Sequence, residues 1–156
     1  MKRQSIFSAA LAALLLHCGP APAHDLMDNA DLAGGNELYP RSLAPLPGTQ
    51  DLRIHQLGSH HLAVLTQQGD SLLGSIVQQG SDHEAWLLQQ GSNLVAGIWQ
   101  QGHGHSASIA QFGYGNEAHI IQAGAHNTAS IEQSGTGLYT RVTQIGVGQQ
   151  AQVRQR

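Results

Sequence analysis

Apolar and polar residues alternate along residues 51–156 in a phrase that returns every eleven residues. In one such phrase a small residue, an aliphatic residue, Gln and Gly fall at alternate positions, namely Ala96, Ile98, Gln100 and Gly102. A period of two places these four side chains on one face of a β-strand. An eleven-residue helical repeat does not fit, because such frequent Gly opposes a helix and the alternation has the wrong period. The pattern predicts ten short strands joined by near-identical turns.

Each predicted strand carries one Gln, and a Gly follows two positions after each of the first nine Gln residues. The Gln residues are Gln56, Gln67, Gln78, Gln89, Gln100, Gln111, Gln122, Gln133, Gln144 and Gln155. The Gly residues are Gly58, Gly69, Gly80, Gly91, Gly102, Gly113, Gly124, Gly135 and Gly146. We expect each Gly to open a turn, where a positive φ is often required.

A second period of 22 residues lies beneath the first. His61, His83 and His105 recur at this interval, whereas Leu72 and Leu94 hold the matching position of the alternate strands. The true repeat is therefore strand, turn, strand, turn, and five repeats fill residues 51–156, the last of them truncated. Stacked in register, they predict an all-β fold, a two-sheet β-solenoid of the cross-β, amyloid-like kind.

The stacking gives the Gln residues a physical role. In register, each Gln lies above the Gln of the neighbouring repeat, so its amide donates a hydrogen bond on one side and accepts one on the other. Ladders of this kind are a cross-β device. A buried amide without partners costs about 1–3 kcal/mol, so a single slip of the period would be penalised.

The first part of the chain has a different pattern. Residues 1–23 combine a basic start (Lys2 and Arg3), an apolar run at 6–16 and small residues before His24, which predicts a secretory signal peptide. A lipoprotein signal ending at Cys18 is the alternative. Residues 24–50 lack a sustained period and predict a flexible segment, with a short helix near 26–32 as the alternative.

The composition argues against several classes of function. Only 11% of residues are charged and the formal net charge is −3, so no basic field indicates a nucleic-acid partner. Removal of the signal peptide takes away the only Cys, so disulfides do not stabilise the mature chain. No nucleophile elbow, phosphate loop or paired carboxylates suggest catalysis, and we assign no catalytic residue and no cofactor.

The repeat "A-x-I-x-Q-x-G-x-x-N-x-A-x-I-x-Q", clearest in residues 112–135, resembles the curlin repeat of bacterial curli fibres. The segment "GNELYPRSL" at 35–43 and the ending "AQVRQR" at 151–156 are most similar to the minor, nucleating subunits of that family. The chain departs from the pattern where His replaces Asn or Ser at 61, 83 and 105, and in the absence of Lys after the signal peptide.

The resemblance implies a secreted amyloid subunit that nucleates polymerisation of the major curlin at the bacterial surface, in biofilm and adhesion. It implies as partners the major subunit, an outer-membrane secretion pore, a surface accessory factor and further copies in a fibre. A solenoid that ends in unpaired strands offers the matching mechanism, because a free edge can template an incoming chain. The first alternative is the major fibre subunit itself. An ice-binding solenoid is a weaker one, because the outward positions are too mixed for a regular array.

Two further groups of side chains are candidates for function. His61, His83 and His105 would stack in one column, and their mutual repulsion when charged predicts sensitivity to acid. We assign no metal site to them, because no Cys or closed ligand set accompanies them, although a His-rich metal-binding protein remains an alternative. Arg141, Arg154 and Arg156 follow the last acidic residue, Glu132, and predict either a solvated end or an end that binds an anionic surface.

Overall fold

The computed structural model describes residues 47–156, and every regular element in this range is a β-strand. The strands are β1 (Gln50–Ser59), β2 (Leu62–Ser81), β3 (Glu84–His103), β4 (Ser106–Tyr114), β5 (Glu117–Ala125), β6 (Thr128–Thr136), β7 (Tyr139–Val147) and β8 (Gln150–Gln155). The predicted signal peptide and most of the predicted flexible segment lie outside the described residues.

All strand pairs are parallel, and every paired residue has its partner 22 positions away. The chain therefore winds through five coils, which we number 1 (50–70), 2 (72–92), 3 (94–114), 4 (116–136) and 5 (138–156). Each coil has two arms, and each set of five equivalent arms forms one face of the solenoid. This confirms the predicted all-β solenoid and its 22-residue register.

The strands are fewer than the ten that the sequence predicts. β2 and β3 are 20 residues long because each runs through two arms and the turn between them. Each of these turns has two residues with positive φ, Gly69 and Ser71 in β2 and Gly91 and Asn93 in β3. Pairing resumes on both sides, since Asp70 pairs with Ser92 and Leu72 with Leu94.

The core is a thin layer between the two faces. Its buried residues are the Ala and aliphatic members of the repeat, namely Ile76, Ala85, Leu87, Ala96, Ile98, Ala107, Ile109, Ala118, Ile120, Ala129, Ile131 and Val142. The sheets approach so closely that a Cβ on Gly74 would lie 2.8 Å from Cδ2 of Leu87 and 3.0 Å from Cδ1 of Leu65. The two Leu side chains therefore explain why Gly replaces the usual Ala at position 74.

Candidate assembly surface

The repeated Gln side chains form two ladders, one on each face of the core. In every step the Nε2 of one Gln donates to the Oε1 of the Gln 22 residues later, at 2.7–3.0 Å. The first ladder runs through Gln56, Gln78, Gln100, Gln122 and Gln144. The second runs through Gln67, Gln89, Gln111, Gln133 and Gln155. All donors point toward coil 5, so each ladder has a direction.

A second set of bonds ties the ladders to the opposite face. The Nε2 of Gln100 also donates to the backbone oxygen of Glu84 at 3.0 Å, and Gln111 likewise donates to that of Val95 at 3.1 Å. Every ladder Gln from Gln78 to Gln144, seven in all, makes this second bond, each to the backbone oxygen of the residue 16 positions earlier. Both amide hydrogens of an inner Gln are therefore satisfied, which the sequence pattern alone did not indicate.

The turn Gly residues are fixed by contact between coils. A Cβ on Gly91 would lie 1.9 Å from the backbone oxygen of Gly113, and the φ of Gly91 is 138°. The same overlap, at 1.8–2.1 Å, occurs at Gly58, Gly69, Gly80, Gly91, Gly102, Gly113 and Gly124. At Gly135 and Gly146 no backbone carbonyl lies so close, because coil 5 is the last coil. Coil-to-coil contact thus requires Gly more strongly than the turn conformation does.

A second left-handed residue follows each of these Gly residues by two positions, which sequence reasoning missed. It is non-Gly in five turns, at His60, Ser71, Asp82, Asn93 and His126, with φ of 54–57°. In the other four turns it is Gly104, Gly115, Gly137 or Gly148. The signal in the sequence is the restriction of this position to Gly and small or polar residues, several of which tolerate positive φ.

The three predicted His residues stack in one column. The ring centroids of His61 and His83 lie 5.1 Å apart and those of His83 and His105 lie 5.0 Å apart, with the planes nearly parallel. His83 and His105 are fully buried. The Nε2 atoms of these two rings lie 3.0 Å from the backbone oxygens of Gln79 and Gln101, respectively.

The contacts of Nδ1 fix the protonation state of the two buried rings. Nδ1 of His83 accepts from the backbone N–H of His105 at 3.3 Å, and Nδ1 of His105 accepts from that of Asn127 at 3.2 Å. Both rings are therefore neutral, with the proton on Nε2. Protonation of Nδ1 would set two N–H groups against each other.

Burial lowers the pKa of His83 and His105 below the ordinary value of 6.5. The hydrogen bond of each ring to a backbone carbonyl acts in the opposite direction, and the neighbouring imidazoles, such as His103, add to the lowering. His83 and His105 therefore resist protonation in the folded state.

Asn127 takes the same place in coil 4, and Gln149 takes it in coil 5. Asn127 donates from Nδ2 to the oxygen of Ala123 at 3.2 Å, and its Oδ1 accepts from the N–H of Gln149 at 2.9 Å. These are the bonds that His105 makes through Nε2 and Nδ1. The His residues thus imitate the Asn of the repeat, which explains why the fold accepts both.

Two other His residues meet at a turn. His60 and His103 both approach the carboxylate of Asp82, at 3.6 Å and 3.3 Å from their Nδ1 atoms. All three side chains are about half exposed or more. Within residues 47–156 no group of three or more His, Cys, Asp or Glu side chains has the geometry to hold a metal ion.

The three Arg residues of the last coil have different surroundings. Arg154 forms an ion pair with Glu132 at 2.8 Å, so its charge is largely compensated. Arg141 and Arg156 are exposed and form no ion pair with a described residue. The cationic character of coil 5 therefore rests on Arg141 and Arg156 more than on Arg154.

The two ends of the solenoid differ. In β1, at the first end, the core-pattern residues Leu52 and Ile54 are 53% and 48% exposed. In β8, at the other end, the corresponding Ala151 and Val153 are half-buried. The first coil consequently presents an open apolar surface.

The outward face of the sheet that contains β4 carries a shallow apolar groove. It is lined by Val64, Trp86, Leu88, Ala110 and neighbouring residues. The indole N–H of Trp86 donates to Glu84 at 2.8 Å, which fixes the ring along the sheet. These side chains leave an apolar strip across several coils.

Comparison with known families agrees with the repeat geometry. Residues 84–113 and 106–135 match the family model of the curlin associated repeat. The match supports the curlin family. The two matches overlap and together cover residues 84–135, so this part of the chain is similar to curlin repeats.

Neither a curated relative nor a membrane-spanning helix was found. Among curated proteins none matches this chain significantly. In the part of the chain that the structure describes, no helix has the length and apolar character needed to cross a membrane.

Proposed function

We propose that this curlin-repeat protein is the nucleating subunit of a curli fibre. In this proposal it is exported by its signal peptide, stays at the bacterial outer surface and templates the polymerisation of the major subunit. The observation that carries the proposal is the strand at each end of the solenoid, which pairs on one side only among the described residues and keeps the alternating apolar and Gln pattern, with Leu52, Ile54 and Gln56 in β1 and Ala151, Val153 and Gln155 in β8.

The mechanism needs no covalent chemistry. An edge strand exposes a row of free N–H and C=O groups, and a chain with the same 22-residue pattern can pair with it in register. Each added coil extends the backbone ladder, both Gln ladders and the Ala–Ile core together. Because the template is already folded, the incoming chain avoids much of the entropic cost of forming the first coil alone.

The proposal includes the partners that the repeat resemblance implies. These are the major subunit, an outer-membrane secretion pore and a surface accessory factor. The exposed Arg141 and Arg156 of coil 5 support attachment to an anionic partner at the surface. Attachment through coil 5 would leave coil 1 free.

The test is a seeding experiment with thioflavin fluorescence as the readout. Preassembled protein, added in small amount to unassembled major subunit, is expected to remove the lag phase. A preparation carrying Gln100→Ala and Gln111→Ala serves as the matched control and should seed poorly. An unchanged lag with wild-type seeds would contradict the proposal.

Deletion of the gene distinguishes the role of nucleator from the role of major subunit. Loss of a nucleator leaves major subunit secreted but unpolymerised, and exogenous seeds restore fibres. Loss of the main fibre constituent instead removes fibre mass, which seeds cannot replace. The second result would assign this chain the role of major subunit.

A further inference from the structure

Exposed imidazoles gather on one turn edge of the solenoid, the edge that also contains the buried His column. We call it the His edge. Its exposed titratable side chains include His60 of coil 1, Asp82 of coil 2, His103 of coil 3 and His126 of coil 4. Among the described residues, the turns of the opposite edge hold no His. Only the stacking of coils brings these four side chains together, because they are far apart in the sequence.

Asp82 lies between two of the imidazoles. Nδ1 of His60 is 3.6 Å from its Oδ1, and Nδ1 of His103 is 3.3 Å from its Oδ2. Both separations exceed the usual range of an N–H···O hydrogen bond. They are close to the distance of about 3.3 Å that separates two ligand atoms of a tetrahedral zinc ion with bonds of about 2.0–2.1 Å.

A gap in the turn column lets a third imidazole approach. Positions 60, 82, 104 and 126 follow one another at the 22-residue interval, and Gly104 has no side chain at this place. His126 reaches over the gap, because a Cβ on Gly104 would lie 2.5 Å from Nδ1 of His126. The rings of His103 and His126 meet edge to face, with centroids 5.1 Å apart. His103 thus lies between the carboxylate of Asp82 and the ring of His126.

The buried His column does not offer the same opportunity. Both ring nitrogens of His83 and His105 already bond to backbone groups. At the exposed His103, by contrast, Nδ1 lies 2.7 Å from the hydroxyl of Ser81, a side-chain contact that a metal ion can replace.

We propose that His60, Asp82, His103 and His126 bind a divalent transition-metal ion, with Zn²⁺ as the reference ion. Imidazole nitrogen and carboxylate oxygen are both ordinary zinc ligands. As placed, the side chains do not converge on one point, in keeping with the absence of a ready-made metal geometry among residues 47–156. All four are exposed, so the site closes by rotation of side chains and leaves the backbone in place.

A metal ion held in this way links coils 1 to 4 at one edge. The unfolded chain has the same ligands without their juxtaposition, so binding should stabilise the stacked form. The site uses neither end of the solenoid and therefore does not depend on the proposed function.

Equilibrium binding of Zn²⁺ to the assembled full-length mature protein tests the site. Assembled material is incubated with Zn²⁺, sedimented and analysed for metal, and the wild type should hold about one tightly bound ion per chain. The double variant Asp82→Asn and His103→Ser should bind roughly 10–100-fold more weakly, since even the loss of an outer-shell partner has an effect of that size. Asn tolerates the positive φ of position 82, and Ser81 holds the place of His103 in coil 2.

The matched control is His119→Asn. His119 also contacts a carboxylate, that of Glu117 at 2.8 Å, but lies on a sheet face and away from the His edge. Its replacement should leave zinc binding unchanged. Co²⁺ supplies a second readout, because intense visible absorption is typical of a four-coordinate site. Circular dichroism checks that each variant forms β-structure.

Equal zinc binding by the wild type and the double variant would overturn the proposal. A loss of binding in His119→Asn as large as that in the double variant would also overturn it, because the imidazoles would then act independently of the His edge. Should the double variant fail to assemble, His126→Asn serves alone, since Asn tolerates the positive φ of that turn position. Unchanged zinc affinity and an unchanged Co²⁺ spectrum in His126→Asn would exclude the proposed ligand set.

Discussion

At the scale of single residues, two polar columns decide how the coils fit together. The Gln ladders satisfy every inner amide, and the buried His residues occupy places that Asn holds elsewhere. In both columns a buried polar group has a partner in the next coil, so its burial is acceptable only when the register is kept.

Interrupting both ladders in mid-stack should slow assembly. Replacing Gln100 and Gln111 by Ala removes an acceptor from Gln78 and Gln89 and a donor from Gln122 and Gln133. Each interrupted ladder should lose about 1–3 kcal/mol of stability. Denaturant resistance of the fibre and the lag time of assembly measure the effect.

The matched control is Gln101→Ala, because Gln101 is an exposed neighbour with the same side chain. It should change stability by less than about 0.5 kcal/mol. Assembly of the double variant at the wild-type rate would show that the ladders do not limit folding.

Acid should weaken the fold through His83 and His105. Their folded-state pKa values are lowered, so the unfolded chain takes up protons as the pH falls through 6.5 while the folded chain resists them. Stability is therefore constant above this pH and falls below it, by up to about 1.4 kcal/mol per pH unit for each group. Assembly rates measured from pH 8 to pH 5 should follow this decline.

The variant with Asn at positions 61, 83 and 105 should lose most of this pH dependence and still assemble, since Asn127 makes the same bonds in the native chain. His55→Asn, at an exposed site, is the control and should keep the wild-type profile. A triple variant with an unchanged pH profile would exclude the column as the sensor.

At the scale of the strand and turn, close stacking of coils selects the residues. The first positive-φ position of each turn accepts only Gly where another coil follows, because a side chain would enter the neighbouring backbone. The second such position holds His, Ser, Asp, Asn or Gly, and a Cβ at Gly115, Gly137 or Gly148 would meet no atom closer than 3.9 Å.

Gly91→Ala should therefore disrupt stacking between coils 2 and 3. The added Cβ would meet the Gly113 oxygen at 1.9 Å, so the backbone must move and the adjacent ladder bonds must lengthen. Gly137→Ala offers a matched comparison, since no atom lies within 4 Å of its Cβ and only the positive φ is penalised, at about 1 kcal/mol. Equal thermal stability of the two variants would contradict the stacking argument.

At the scale of the whole molecule, the two ends differ in apolar exposure and in charge. Coil 1 has an open core and unfilled acceptors, and coil 5 carries Arg141 and Arg156 on its exposed surface. Under the proposed function, attachment through coil 5 would leave coil 1 free to template.

Deleting residues 139–156 should release nucleating material into the medium while its seeding activity remains measurable. The physical reason is loss of the Arg-bearing coil, so a variant with Gln at positions 141, 154 and 156 should be released in a similar way. Fractionation of cells and medium, followed by seeding assays of both, provides the measurement. Retention of the truncated chain on the cells would refute tethering by coil 5.

The sequence alone determined the period, the inward face, the two-sheet solenoid and the columns of Gln and His, because alternation and spacing are local properties that stacking simply repeats. Only the tertiary structure decided how the members of each column bond. It gave the Gln ladders their direction, made His83 and His105 neutral acceptors, and placed Glu132 beside Arg154. These features depend on which atoms of neighbouring coils meet within hydrogen-bonding distance, and a repeat pattern specifies which residues stack without specifying which end of an amide faces its neighbour.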